Sequence, residues 1–159
     1  MKPLKFFSAI GIVGRSVPLT GDDPLTVRPP DSPNWAIAAP QGVETAAPVT
    51  VLSPVGTASA EELLDAFTQT ALSDKRVEHI EGQTDQSLRV FVQRSAIFGF
   101  SDVISARAIA LPDGMTAIVA YSRSVYGYSD FGVNKQRLKK WIAGNSGFRS
   151  SVRSRKQPI

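Results

Sequence analysis

The residues in this chain most able to do chemistry fall in two stretches that nearly repeat each other. "RSAIFGFSD" runs from Arg94 to Asp102 and "RSVYGYSDFGVN" from Arg123 to Asn134. Each sets Arg-Ser, a bulky run, Gly, an aromatic and Ser-Asp in that order. Two guanidiniums, Arg94 and Arg123, beside a helix amino terminus make a receptor for a phosphate or carboxylate, because the planar fork and the free amides both suit an anion. Phe98, Phe100, Tyr126 and Tyr128 supply flat apolar walls, and the two phenols add hydrogen-bond donors. The same atoms also suit a purely structural role. Ser101, Asp102, Ser129 and Asp130 satisfy loop amides, Ser129 or Asp130 caps a following helix, and Arg94 and Arg123 pair with the two aspartates. Gly99 and Gly127 fit turns that need a positive backbone torsion.

An enzyme needs more than this edge supplies. The chain has no cysteine and one histidine, His79. Thiolate nucleophiles, thiolate metal sites and disulfides are therefore excluded, and any Ser-His arrangement or zinc site depends on one imidazole. "VEHIE" reads as a half-exposed strand, which puts His79 mid-strand and away from the repeated edge. No P-loop, GxGxxG, EF-hand or HExxH pattern is present. The expectation is no catalytic residue, no metal and no cofactor. A hydrolase-like enzyme using Ser124 or Ser129 with Asp130 stands as the alternative, with His79 as its only candidate base.

Positioning these residues requires a sheet edge. After Pro48, "PVTVLS" is a β-branched run suited to an edge strand. In "SAEELLDAFTQTAL", Ser59 and Glu62 have capping-box spacing, and Leu63, Leu64, Phe67 and Ala71 recur on one helical face. Four strands follow, near Arg76–Glu81, Ser87–Ser95, Val103–Leu111 and Met115–Ser124. The joints "GQTD", "GFSD" and "PDG" are turn chemistry that makes neighbours antiparallel. A last helix spans about Val133 to Ala143, with Leu138, Trp141 and Ile142 on one stripe, and "GN" ends it. The fold class is thus α+β: a two-layer domain in which an antiparallel four-to-five-stranded meander is covered by two helices. Alternate strands of a meander run the same way, so both Arg-Ser pairs, both Gly-aromatic-Ser-Asp turns and the start of the last helix gather at one end.

The 159 residues suit one domain with tails. Residues 1–16 read as a short apolar tail or the remnant of a signal or anchor, two lysines preceding an apolar run that Arg15 and Pro18 close. Residues 17–48 carry seven prolines and read as an extended, irregular arm docked by Trp35 and Ile37. Residues 49–145 form the α+β domain. Residues 146–159 form a basic, serine-rich tail without apolar periodicity. The net charge of +4 owes much to that tail, and Lys135, Lys139 and Lys140 form no stripe with interleaved aromatics, so specific nucleic-acid binding is not expected.

"YSRSVYGYSDFGVNKQRLKKW" resembles the hallmark of a bacterial and plastid family catalogued as domain of unknown function 1499. The matching residues are Ser122, Arg123, Ser124, Gly127, Ser129, Asp130, Gly132, Val133, Asn134 and Arg137, and Arg94, Ser95, Gly99 and Asp102 resemble an earlier block. The resemblance spans roughly Val49 to Ala143 and implies no established activity. It implies an amino-terminal hydrophobic or export segment, which favours a membrane-associated or periplasmic location. It also implies a cysteine-containing segment after the Pro-rich arm, where this chain has "NWAIAAP" instead. The expected function is a non-enzymatic accessory or binding module. Its contact set is Arg94, Ser95, Asp102, Arg123, Ser124, Tyr126, Tyr128, Ser129, Asp130 and Asn134, and its partner is an anionic small molecule or a protein complex, with peripheral membrane association. Oligomeric state has no signature in the sequence.

Overall fold

Ser59 and Glu62 start the first helix in the way their spacing dictates. The Ser59 Oγ accepts from the Glu62 amide at 3.2 Å, and Glu62 reaches back to accept from the Ser59 amide at 2.9 Å. This reciprocal cap satisfies two amides that a helix end leaves orphaned. The structure, a computed structural model, describes residues 21–127 and 129–148. Its elements are β1 (Trp35–Ala39), β2 (Val51–Leu52), β3 (Val55–Gly56), α1 (Ala60–Leu72), β4 (Val77–Ile80), β5 (Arg89–Arg94), β6 (Ser101–Ala110), β7 (Thr116–Ser124) and α2 (Val133–Gly144). The apolar tail at residues 1–16 and most of the basic tail lie outside the described residues.

The meander from β4 to β7 forms as expected, each strand antiparallel to the next. The sheet around it is larger than expected and mixed in direction, with seven strands in the order β2-β1-β7-β6-β5-β4 and β3 also pairing β7. The extra strands come from the segment read as an irregular arm. Pro33 and Pro40 bracket six residues that all keep their amide, and the last five form β1, antiparallel to β7 and parallel to β2. Proline is excluded from a ladder but tolerated just outside it, so a proline-rich segment here holds a strand with a neighbour on each side. "PVTVLS" yields only the two residues of β2 and an adjoining β3 on β7.

Both faces of the sheet are covered. On one, Phe91, Ile104 and Ile118 pack under Leu63, Phe67, Leu138 and Trp141 from the two helices. Phe67, Phe91 and Trp141 meet with ring centroids 5.9–6.1 Å apart, a geometry aromatic rings favour. On the other, Val27, Ala47 and Val49 of the arm pack on Ile37 and Tyr121. Arg107 pins the arm to the sheet by pairing with Asp23 at 2.9 Å and with Asp85 at 2.6 Å. The basic tail was expected from residue 146, yet residues 146–148 make a helical turn that places Phe148 in the helix-side core.

Candidate functional site

Register sorts the polar residues at the repeated edge by face. Gln93 pairs with Asp102, and Asp102 with Ser124. Side chains alternate across a strand, so Gln93, Asp102, Ser122 and Ser124 share the helix face, while Arg94 and Arg123, each one residue away, point to the other. The first turns of α2 meet the polar row. There Arg137, whose side chain is 5% exposed, forms an ion pair with Asp102. Its Nε donates to Gln93 Oε1, and its Nη1 donates to Ser122 Oγ at 2.9 Å and to Asn134 Oδ1 at 2.8 Å. Four of the guanidinium's five N–H groups are thus spent inside the protein.

Asn134, fully buried, is the second hub. Its Nδ2, whose two hydrogens are shared among three acceptors, lies 2.9 Å from both the Asn34 carbonyl and Ser124 Oγ and 2.6 Å from Asp130 Oδ2, while its Oδ1 accepts from Ser122 Oγ at 2.6 Å. Asn34 in turn donates to the Gly127 carbonyl at 2.7 Å. Gly132, at the helix cap, has no side chain to offer, and Asp130 takes its place. Its Oδ1 accepts from the Gly132 amide at 2.8 Å and its Oδ2 from the Asn134 amide at 3.0 Å. Burial alone would raise the Asp130 carboxyl, but these donors outweigh it and hold it below the ordinary carboxylate range. A negative charge at this end also complements the helix dipole.

These residues are the ones that carry the signature "SRS…G-x-SD-x-GVN-x-x-R". A family model described as "Protein of unknown function (DUF1499)" matches residues 25–144, most of the chain. The chain belongs to the DUF1499 family. No curated protein matches it. In this DUF1499 protein, the matched span takes in β1 through α2 together with most of the arm.

The candidate residues separate into three groups. Asp102, Ser124, Asp130 and Asn134 come together in the buried network. Arg94 and Arg123 do not join them: Arg94 faces Glu78 at 3.8 Å, and Arg123 faces Asp22 of the arm at 3.5 Å. The expected Arg–Asp pairing is corrected accordingly, for Asp102 pairs with Arg137 and Asp130 with backbone and side-chain amides. Ser95 closes the β5–β6 loop by accepting from the Phe100 amide at 3.1 Å, and Ser129 accepts from the Phe131 amide at 3.3 Å. Tyr128 lies outside the described residues. Gln93, Asn34 and Ser122 were missing from the expected contact set, as was Arg137 itself. Strand parity points to the first and third of these, while Asn34, in the arm, carries no such signal.

His79 stands apart from the network. It shares a row with Phe91, Ile104 and Ser122 across four adjacent strands, three strand spacings from Ser122, or roughly 14 Å. Its ring packs on Phe91 with centroids 5.4 Å apart, and burial, with Arg89 nearby, lowers its pKa. Among the described residues, no group of three His, Cys, Asp or Glu could hold a metal ion, and no helix is long and apolar enough to cross a membrane.

The two loops at this end also expose large apolar side chains. The β5–β6 loop exposes Ile97 and Phe98, 85% and 70% accessible, and Phe98 stacks on Phe100, which contacts Tyr126 of the β7–α2 loop. Phe131, in that second loop, is 97% exposed and holds a left-handed backbone with φ +53°. A bulky residue in that region is a genuine outlier, and the conformation costs on the order of 1 kcal/mol. The hydrogen bonds of Ser129 and Asp130 to the next two amides hold it there.

Proposed function

We propose that this DUF1499 protein is a non-enzymatic accessory module that docks through the aromatic tip formed by Ile97, Phe98, Phe100, Tyr126 and Phe131, with the polar network behind it acting as a brace. The observation that carries the reading is Phe131. An almost fully exposed phenylalanine in a left-handed backbone is unfavourable for the isolated fold on two counts, since it leaves a large apolar surface in water and strains the chain. Contact with a partner recovers the first cost. Neighbouring exposed apolar residues extend the patch, and grouped apolar surface of this kind marks interaction sites. The brace supports the reading from the other side, because the buried arginine, asparagine and aspartates of the signature satisfy one another and have little capacity left for a small ligand.

Site-specific photo-crosslinking in cells tests the proposal. A photoreactive residue at position 98 or 131 is expected to give adducts, whereas one at position 113, in the β6–β7 hairpin at the opposite end of the sheet, is expected to give none. Equal labelling at all three positions, or none at the tip, overturns it.

A further inference from the structure

We infer that the surface met by the aromatic tip is the interface of an anionic lipid bilayer. This rests on the docking role proposed above and names its occupant. The tip is made of side chains on two neighbouring loops that protrude with little cover, Phe131 and Ile97 most of all. A protein partner needs shape complementarity to gain from such side chains, whereas a bilayer interface accepts aromatic and aliphatic residues on a protruding loop with no matching surface. Phenylalanine and tyrosine together are apolar bodies with one polar edge, the composition that suits the headgroup boundary.

Charge at the rim is complementary to such a surface. Lys75 and Arg76 sit beside the end of β5, where the Lys75 carbonyl accepts from Gln93 at 3.0 Å and Arg76 Nε donates to the Arg94 carbonyl at 2.9 Å. Arg94 is at that end too, and Lys135 is exposed in the first turn of α2. Two acids of the same end are turned inward: Asp102 pairs with Arg137, and Asp130 accepts from Gly132 and Asn134. Glu78, facing Arg94, and Asp22, facing Arg123, are exposed acids held by arginines, and Asp31 is exposed in the turn before Asn34. Lys75, Arg76 and Arg94 of this rim lie within the span that holds all of the acidic residues, from Asp22 to Asp130. Cations around an apolar tip are attracted to anionic headgroups as the apolar residues enter.

The chain upstream agrees in chemistry and reach. Residues 1–20 contain Lys2, Lys5 and Arg15, no acid, and the apolar run "FFSAIGIV" from Phe6 to Val13. The described chain begins at Gly21, against Val90 of β5 and Ser105 of β6. From Val90 to Arg94 along β5 is about 13 Å. The eight residue steps from Val13 to Gly21 span at most ~28 Å. The apolar run and the tip can therefore reach one bilayer.

Flotation of the full chain with vesicles tests the inference. Phosphatidylcholine vesicles containing phosphatidylglycerol are expected to carry the protein upward, with binding weakened by salt and by omitting the anionic lipid. A Phe98→Ser/Phe131→Ser variant, checked for unchanged thermal unfolding, is expected to bind at least about 10-fold more weakly. The loss is expected to persist in a Phe6→Ser/Phe7→Ser background, which separates the tip from the amino-terminal run. No flotation of the parent chain, or flotation that the tip variant leaves unchanged, overturns the bilayer as occupant. In either case, crosslinks from positions 98 and 131 to a protein leave the docking role standing, and an absence of crosslinks ends that role as well.

Discussion

Asn134 and Asn34 lie a hundred positions apart in the chain and are joined by one hydrogen bond, from the Asn134 side chain to the Asn34 carbonyl at 2.9 Å. That contact ties the first turn of α2 to the residue preceding β1. It fastens the last helix to the strand that the arm inserts beside β7, and the Asn34 side chain extends the tie to the Gly127 carbonyl. Replacing Asn134 by Asp keeps the shape and turns donors into acceptors that face the Asn34 carbonyl and the Asp130 carboxylate. The expected cost is about 3 kcal/mol or more, since buried acceptors lose their donor and like charges meet. Asn34→Ala, which removes one of the two links, is expected to cost about 1 kcal/mol. Denaturant unfolding of the two variants measures the difference.

Phe131 separates stability from contact. Phe131→Gly removes a side chain from a left-handed position, where glycine is free of steric cost. Unfolding free energy is expected to rise by about 0.5–1 kcal/mol, while docking through the tip falls. A variant that loses stability would place Phe131 in a packing role within the fold.

The parts of the fold that announce themselves are those with local rules. The capping box of α1, the turns around Gly114 and Asp85, and the alternation in β5 to β7 all follow from short-range spacing. β1 is hidden because seven prolines dominate its neighbourhood, although Trp35 to Ala38 alternate between Ala36 and Ala38 on the helix side and Trp35 and Ile37 on the other. At the edge, nearness in the sequence suggested Arg94 and Arg123 as partners of Asp102 and Asp130. Period-two alternation puts those arginines on the wrong face, and the partner comes instead from Arg137, a full turn into α2. Parity along the strands would have found Gln93 and Ser122. The exposure of Phe131 depends on loop conformation, which no periodicity encodes.

His79 provides a pH signature of the sheet. Burial, and Arg89 beside it, depress its pKa below the ordinary 6.5. The folded state therefore disfavours the charged ring, and the unfolded chain takes up the proton first. The stability this residue contributes is fully present above about pH 6.5 and is lost as pH falls through the folded-state value. Unfolding measured between pH 7.5 and 5 is expected to show this decline, and His79→Phe to flatten it. As the chain has a single histidine, its imidazole resonance can be followed directly; a midpoint above 6.5 would reverse the sign.

The brace at the DUF1499 signature is tested most directly by the unfolding free energy of Arg137→Met with no ligand present. Methionine fills much of the same volume but leaves the Asp102 carboxylate and Gln93 Oε1 without their donor, and Asn134 Oδ1 with Ser122 Oγ alone. The variant is expected to lose about 3–5 kcal/mol, the cost of breaking a buried ion pair by removing one partner. Lysine at the same position should restore little of it, because a single ammonium cannot span three acceptors. A methionine variant within about 0.5 kcal/mol of the parent, the range of an ordinary surface substitution, would show that the guanidinium does not hold this end of the sheet together.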